Sequence, residues 1–301
     1  MSKTLPIHGA YTALVTPFTP DGAHVDFDAL ERLVHRQIEQ GIDGLLPCGT
    51  TGESPTLHAD EHLEVIRRTA KAAAGRVPVI AGTGSNSTEK SISTSKAALE
   101  AGADGVMIVS PYYNKPSQEG LVRHMTAVAR AVGDAPVILY NIPGRSVVEL
   151  SVDTIARIAD EASNVVAVKD ATGNIVRCQQ VRHRLGDRLT VMCGDDGLTV
   201  GMMAVGASGV ISVTSNVFPK QVSDICHAAA QGHWSDALKM HMALLSVHEV
   251  MFVEPNPGPA KVAMAHLKLM NTAVRLPLVV PTQASQKLVI DAMRAYQKER
   301  A

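Results

Sequence analysis

Three stretches of this chain share one design: Gln40-Gly-Ile-Asp-Gly-Leu-Leu-Pro47, Ala101-Gly-Ala-Asp-Gly-Val-Met-Ile108 and Val205-Gly-Ala-Ser-Gly-Val-Ile-Ser212. Each runs from the end of a helical pattern into a short apolar run through Gly-x-Asp/Ser-Gly. The first glycine suits a left-handed helix C-cap, and the second suits the turn into a strand. A helix-to-strand joint that recurs implies stacked βα units.

Eight apolar runs fit that plan: Tyr11–Phe18, Gly44–Gly49, Val77–Gly82, Gly105–Ser110, Val137–Ile142, Val165–Lys169, Thr190–Cys193 and Gly209–Val213. Helical patterns such as Glu61–Ala74 and Thr88–Glu100 separate most of them. Eight strands alternating with helices predict a (β/α)8 TIM barrel, an α/β fold of typically about 250 residues. A doubly wound open sheet is the alternative, but the first strand–helix turn carries no GxGxxG. Beyond Pro219 no strand pattern recurs, so residues 1–219 are expected to form the barrel and 220–301 a helical C-terminal extension. That extension is broken by Glu254-Pro-Asn-Pro-Gly-Pro259.

The core of such a barrel must be aliphatic, because 46% of the 301 residues are hydrophobic and only 3% aromatic. With 28 Lys+Arg against 29 Asp+Glu and no basic stretch, no nucleic-acid footprint is present, so a small-molecule ligand is expected. Cys48, Cys178, Cys193 and Cys226 are far apart and form neither a disulfide framework nor a zinc knuckle. No run is long enough to span a bilayer, and Met1-Ser-Lys-Thr-Leu-Pro-Ile-His8 lacks a signal-peptide apolar region. A cytoplasmic protein with no membrane partner is expected.

Chemistry in a barrel sits at the carboxyl ends of the strands. Here those ends read Gly49-Thr-Thr-Gly-Glu53, Pro111-Tyr-Tyr-Asn-Lys-Pro116, Tyr140-Asn-Ile-Pro-Gly-Arg145, Lys169-Asp-Ala-Thr-Gly173 and Gly194-Asp-Asp196, with Ile211-Ser212 on the eighth strand. Lys169 closes a Val-rich run of the kind buried on both sheet faces. A lysine so placed is held away from water, the setting in which an amine becomes a Schiff-base nucleophile. The bland alternative is a lysine that caps a strand end and pairs with Asp170. Likewise Gly-Thr-Thr-Gly could be an ordinary capped turn, and Arg145 a solvated charge. Their convergence on one rim favours a site. Strict alternation puts Lys169, Ala167 and Val165 toward the lumen, beside Tyr140 on the neighbouring strand.

The motifs GTTGE, SPYYNKP, YNIPGR, VKDATGN, CGDD and GVISVTSN stand at spacings that resemble the pyruvate-dependent class I aldolases, the family of dihydrodipicolinate synthase and N-acetylneuraminate lyase. The resemblance runs from Gly9–Phe18 to Phe252–Pro257. The arginine of YNIPGR and the Lys-x-Ala-Thr-Gly ending are similar to the synthase branch, which joins pyruvate to L-aspartate 4-semialdehyde in lysine and diaminopimelate biosynthesis. The resemblance implies that Lys169 forms an imine with pyruvate, and that Tyr140, Thr50 and Tyr113 relay protons. Tyr113 would come from a neighbouring subunit of a homotetramer, a dimer of dimers. Thr51, Gly194 and the backbone at Ile211 would hold pyruvate, and Arg145 the carboxylate of the aldehyde. Neither a metal nor an organic cofactor is implied.

Two further features need an account. His58-Ala-Asp-Glu-His62 fits the inverted zinc-protease pattern H-x-x-E-H, but a helix start with residue 58 as cap and Glu61 as third helical residue is simpler. Lysine-sensitive relatives bind the end product where Ser54, His62, Asn86 and Tyr112 stand here, but Ala59 replaces a histidine and Lys90 a glutamate. A cation cannot receive the amino group of lysine, so weak or absent inhibition is expected. Two other functions stay open: a retro-aldol lyase or dehydratase for a sugar acid, and a pyruvate-binding regulator without turnover. A single carboxylate clamp at Arg145 argues against the first, and the full set Lys169, Tyr140, Thr50 and Tyr113 against the second.

Overall fold

The computed structural model describes residues 7–298, so the first six residues of the amino-terminal stretch read above lie outside the described residues. The eight expected strands form: β1 (Gly9–Ala13), β2 (Gly44–Leu46), β3 (Ile80–Gly82), β4 (Gly105–Val109), β5 (Val137–Asn141), β6 (Val165–Asp170), β7 (Thr190–Cys193) and β8 (Gly209–Ser212). They make one eight-stranded parallel sheet in the order β2-β1-β8-β7-β6-β5-β4-β3. Its ends meet where Leu45 bridges Val79, with the Leu45 N–H 2.9 Å from the Pro78 carbonyl and the Gly82 N–H 3.0 Å from that of Pro47. The result is a nearly closed (β/α)8 barrel. Glycine is required at this seam, since a Cβ on Gly82 would stand 2.3 Å from the Cys48 carbonyl oxygen. The first strand begins earlier than its apolar run, and that run bends away before its end. The Val15 N–H is taken by the Asn216 side chain at 3.0 Å, and Leu14 and Phe18 turn into the outer core.

The joints behave as their glycines require. Gly41, Gly102 and Gly206 have φ of +80°, +102° and +110°, in the left-handed range open to glycine. The acid between the glycines has a further use: Asp43 accepts the Ala10 N–H at 2.7 Å, and Asp104 accepts the Val79 N–H at 2.9 Å. Each carboxylate thus ties the start of a new strand to the strand or strand approach before it.

Outside the sheet run α1 (Phe27–Glu39), α2 (Ala59–Ala73), α3 (Thr88–Glu100), α4 (Gln118–Ala131), the short α5 (Pro143–Ser146) and α6 (Val152–Glu161). They are followed by α7 (Ile175–Leu185), α8 (Thr199–Ala204) and α9 (Pro219–Ala230). Asp26, Ser87, Ser117, Ser151 and Asn174 cap five of these by accepting a first-turn N–H. Helix α9 packs against β1 and β8, closing the outer ring. After it come α10 (Trp234–Val250), α11 (Gly258–His266) and α12 (Gln283–Lys298), which pack on one another. Residues 251–257 separate α10 from α11, with Pro255 and Pro257 in the break and Pro259 in the first turn of α11.

One expectation about the lumen is corrected. Tyr11, Leu46, Ile80, Met107, Ile138, Tyr140, Ala167, Met192 and Ile211 fill it, but Val165 lies in the outer core, and Val166 packs toward the lumen instead. The β5–β6 register slips there: Val137 faces Val165, while Ile138 faces Ala167. The extra residue is a bulge, which shifts strict alternation by one position. Ala167 and Lys169 keep the expected face.

The C-terminal helices grip the barrel mouth through a buried ion pair. Lys261 of α11 and Glu53, both fully inaccessible, are 2.6 Å apart. The Lys261 ammonium also donates to the Ala273 carbonyl at 2.8 Å and lies 4.2 Å from the Phe18 ring centroid. Burial pushes it down to about 8, against the pull of Glu53. Removing one partner of such a pair typically costs about 3–5 kcal/mol, because the other charge is left buried. Lys261→Met should therefore destabilise the protein by about that amount in urea unfolding. Adding Glu53→Gln should recover part of the loss, and an unchanged midpoint in the single variant would refute the ion-pair argument.

Candidate active site

Lys169 stands near the carboxyl end of β6, 5% exposed, and points into the barrel. Its register partner on β5 is Tyr140, and the Lys169 Nζ lies over the Tyr140 ring, 4.3 Å from its centroid. The pairing of Lys169 with Asp170 does not occur, because adjacent strand residues face opposite ways. Asp170 points outward and takes Arg177 Nε at 2.9 Å and the Thr172 N–H and hydroxyl at 3.0 and 2.6 Å. Arg177 in turn donates to Glu149 at 2.7 Å and to the Leu150 carbonyl. Among the described residues, Lys169 has no acidic partner. The amine is presented to the lumen while its neighbour anchors the strand end.

Above the strand ends lies a cavity of about 620 Å³. Thr50, Tyr140 and Arg145 line it, and so do Ser54, Ala59, His62, Lys90 and Tyr112. Among the described residues, two cationic side chains, Lys90 and Arg145, reach its wall, and no carboxylate does. Arg145 is exposed on α5, the short helix that Pro143 opens directly after β5. Such a wall suits anionic ligands.

The other expected residues stand at different depths. Thr51 is buried behind Thr50, and its Oγ1 accepts from Asn256 Nδ2 at 2.9 Å. Ile211 packs in the lumen with Tyr140. The end of its strand is fixed by Asp196, which accepts from the Ser212 hydroxyl and, at 2.8 and 3.3 Å, from the Val213 and Thr214 N–H groups. Gly194 lies off the cavity wall: its N–H donates to the Asp170 carbonyl at 2.7 Å, and a Cβ there would meet Ala171 at 2.7 Å. Tyr113 is not brought to this cavity within the chain; it is 88% exposed, with φ of +75°.

The H-x-x-E-H pattern is a helix start. The His58 N–H donates to Glu61 at 3.1 Å, and Glu61 is held by Arg275 at 2.6 and 2.7 Å. The His62 Nε2 faces the Gly82 carbonyl at 3.0 Å. A carbonyl only accepts, so Nε2 is the donor; burial lowers the His62 pKa, with Lys90 adding to the effect and the Gly82 hydrogen bond opposing it.

Comparison with known proteins decides the family. The model of the dihydrodipicolinate synthetase family matches residues 6–295. The chain belongs to this family. Its relative from Sorangium cellulosum, a 4-hydroxy-tetrahydrodipicolinate synthase, is 60% identical over 296 residues, covering 98% of each chain. The crystal structure of dihydrodipicolinate synthase from Aquifex aeolicus superposes with a TM-score of 0.94 at 43% identity, over 96% of this chain and 98% of that one. The chloride-inhibited dihydrodipicolinate synthase from Acinetobacter baumannii, complexed with pyruvate, gives 0.94 at 41% identity, over 97% and 99%. Membership of the dihydrodipicolinate synthetase family makes the chain an enzyme, a lyase of the class I aldolase type.

Sequence reading missed the residues that brace the site from behind. Asn256, Lys261 and Arg275 hold the Gly49–Glu53 loop and the start of α2, yet Asn256 and Thr51 are 205 positions apart. One signal was available: Lys261 interrupts the otherwise apolar Pro259-Ala-Lys-Val-Ala-Met264, and a lysine in such a helix needs a partner.

Proposed function

We propose that the chain condenses pyruvate with L-aspartate 4-semialdehyde through an imine at Lys169, the activity named by its 4-hydroxy-tetrahydrodipicolinate synthase relatives. The observation that carries this reading is Lys169 buried against the ring of Tyr140, which itself lines a cavity walled, among the described residues, by two cations and no acid. The amine attacks the pyruvate ketone, and its oxygen leaves as water. The positive imine nitrogen then acidifies the adjacent methyl, which loses a proton to give an enamine. The enamine carbon bonds to the aldehyde carbon, whose oxygen becomes a hydroxyl. Finally the amino group of the former semialdehyde displaces Lys169, closing the ring and freeing the enzyme.

Tyr140 suits the proton transfers, since its phenol is carried on the strand beside the amine. Thr50 and Tyr113 continue the relay, with Tyr113 supplied by a second copy. Its exposure and left-handed backbone support an outward reach, and a dimer of dimers would satisfy it. Thr51 and the Ile211 backbone hold pyruvate, Gly194 shapes the strand end beside them with its N–H on the Asp170 carbonyl, and Arg145 clamps the carboxylate of the second substrate. The four buried free thiols support a reducing compartment, the cytoplasm.

Borohydride added with pyruvate should place a covalent mass on Lys169 and abolish activity; a label elsewhere, or none, would sink the assignment. Tyr140→Phe should lose about 10²–10⁴-fold in turnover with its fold intact, and a change under about threefold would make Tyr140 a packing residue.

Arg145→Ala should raise the KM for the semialdehyde more than that for pyruvate. Loss of a charge-assisted hydrogen bond costs about 1.5–3 kcal/mol, or roughly 10–150-fold. Equal effects on both substrates would point to a structural role and favour a sugar-acid substrate.

Lys90 faces the cavity beside His62 and Tyr112, where lysine would have to place its amino group, and Ala59 offers no donor or acceptor side chain. L-lysine should inhibit weakly or not at all in a titration at fixed pyruvate, with inhibition gained in Lys90→Glu/Ala59→His. Strong submillimolar inhibition of the unmodified protein would contradict the charge argument.

A further inference from the structure

The C-terminal segment holds two residues of the loop after β2: Glu53, which pairs with Lys261, and Thr51, which Asn256 bonds. The two contacts differ in kind. The first holds the loop in place, together with the Thr16 hydroxyl on the Gly52 carbonyl at 2.7 Å and the Arg275 N–H on Glu53 at 3.1 Å. The second falls on a side-chain hydroxyl that the loop does not need for its own shape. Asn256 and Thr51 are 5% and 2% exposed, so water does not compete freely for either.

A hydroxyl carries one proton and accepts through its oxygen. Asn256 Nδ2 donates to that oxygen at 2.9 Å, which turns the hydroxyl's own proton away from the amide. Among the described residues, no group accepts the Thr51 proton in return. The Asn256 Oδ1 is likewise buried without a partner. A buried donor left unmade is unfavourable unless a ligand completes it.

We infer that Asn256 is a positioning residue for the condensation: by donating to Thr51 Oγ1 it fixes the Thr51 proton as a donor to the carboxylate of pyruvate. The inference rests on the reading of Thr51 as a pyruvate-binding residue. It also makes the identity of the side chain matter. An aspartate at 256 has no N–H to give, so it would take the Thr51 proton for itself and set a negative charge behind the carboxylate site. Were the amide turned end for end, Thr51 would already donate to Oδ1, and aspartate would be harmless.

The test uses the intact enzyme and pyruvate, reading both the half-saturating pyruvate concentration for borohydride labelling of Lys169 and the steady-state KM and kcat. Asn256→Asp should raise half-saturation by tenfold or more. Asn256→Ala should raise it several-fold with a smaller change in kcat, and this variant keeps the test open if the aspartate variant does not fold. On a Thr51→Val background, Asn256→Ala should add nothing further, because the hydroxyl it orients is gone. A penalty for Asn256→Ala that is the same with and without the Thr51 hydroxyl would mean mere loop support and overturn the inference. So would pyruvate binding by Asn256→Asp equal to that of the unmodified protein. No label on the unmodified protein would sink the Lys169 reading and this inference with it, whereas normal labelling with indifferent Asn256 variants would sink this inference alone.

Discussion

Glu53 and Lys261 are the joint between two parts of the chain that sequence position keeps far apart. A carboxylate and an ammonium without access to water tolerate little displacement, since each loses its opposite charge when the other moves. Through that pair, the helices after the barrel determine where Gly49-Thr-Thr-Gly-Glu53 can sit, and so where Thr50 meets the cavity. Arg275 extends the grip by clasping Glu61 at the start of α2 and covering the Phe18 ring at 4.4 Å. The C-terminal extension is therefore part of the site's foundation although none of its described residues lines the cavity.

The barrel was legible in the sequence because its determinants are local. Glycine caps, apolar runs and helical spacing each act within a few residues, and every strand overlaps its run, with β1 alone shifted to begin before it. The slip at Val165 was not legible, because a bulge depends on how one strand meets the next rather than on its own pattern. The rim residues followed from the barrel rule together with their chemistry: Thr50, Tyr140 and Arg145 line one cavity, and Lys169 lies against the Tyr140 ring without being part of that lining. Asn256 and Lys261 escaped, since a polar residue's partner in space leaves no trace in its neighbours in sequence. Tyr113 marks the opposite limit: a single chain shows only that it faces outward.

The cavity's electrostatics follow from what is missing from its wall as much as from what is there. Acids at the strand ends exist, yet each is turned to structural use: Asp170 holds Arg177, Asp196 holds the end of β8, and Glu53 holds Lys261. Spending the carboxylates outward leaves the interior net cationic without a high overall charge, since the chain as a whole stands at −1. A site for carboxylate ligands can thus be built in a near-neutral protein.

The paired glycines and acid of the repeated joint bear on how the barrel reaches the right register. Asp43 closes on the Ala10 amide of β1, and Asp104 on the Val79 amide just before β3, both of which precede it in the chain. Strands β2 and β4 therefore each carry a key that fits a lock already made. A slip of one residue would turn the side chains of the strand to the wrong face and leave the key's carboxylate facing no amide. The check is local and lies in the first half of the chain, at the two joints that set β2 beside β1 and β4 beside β3.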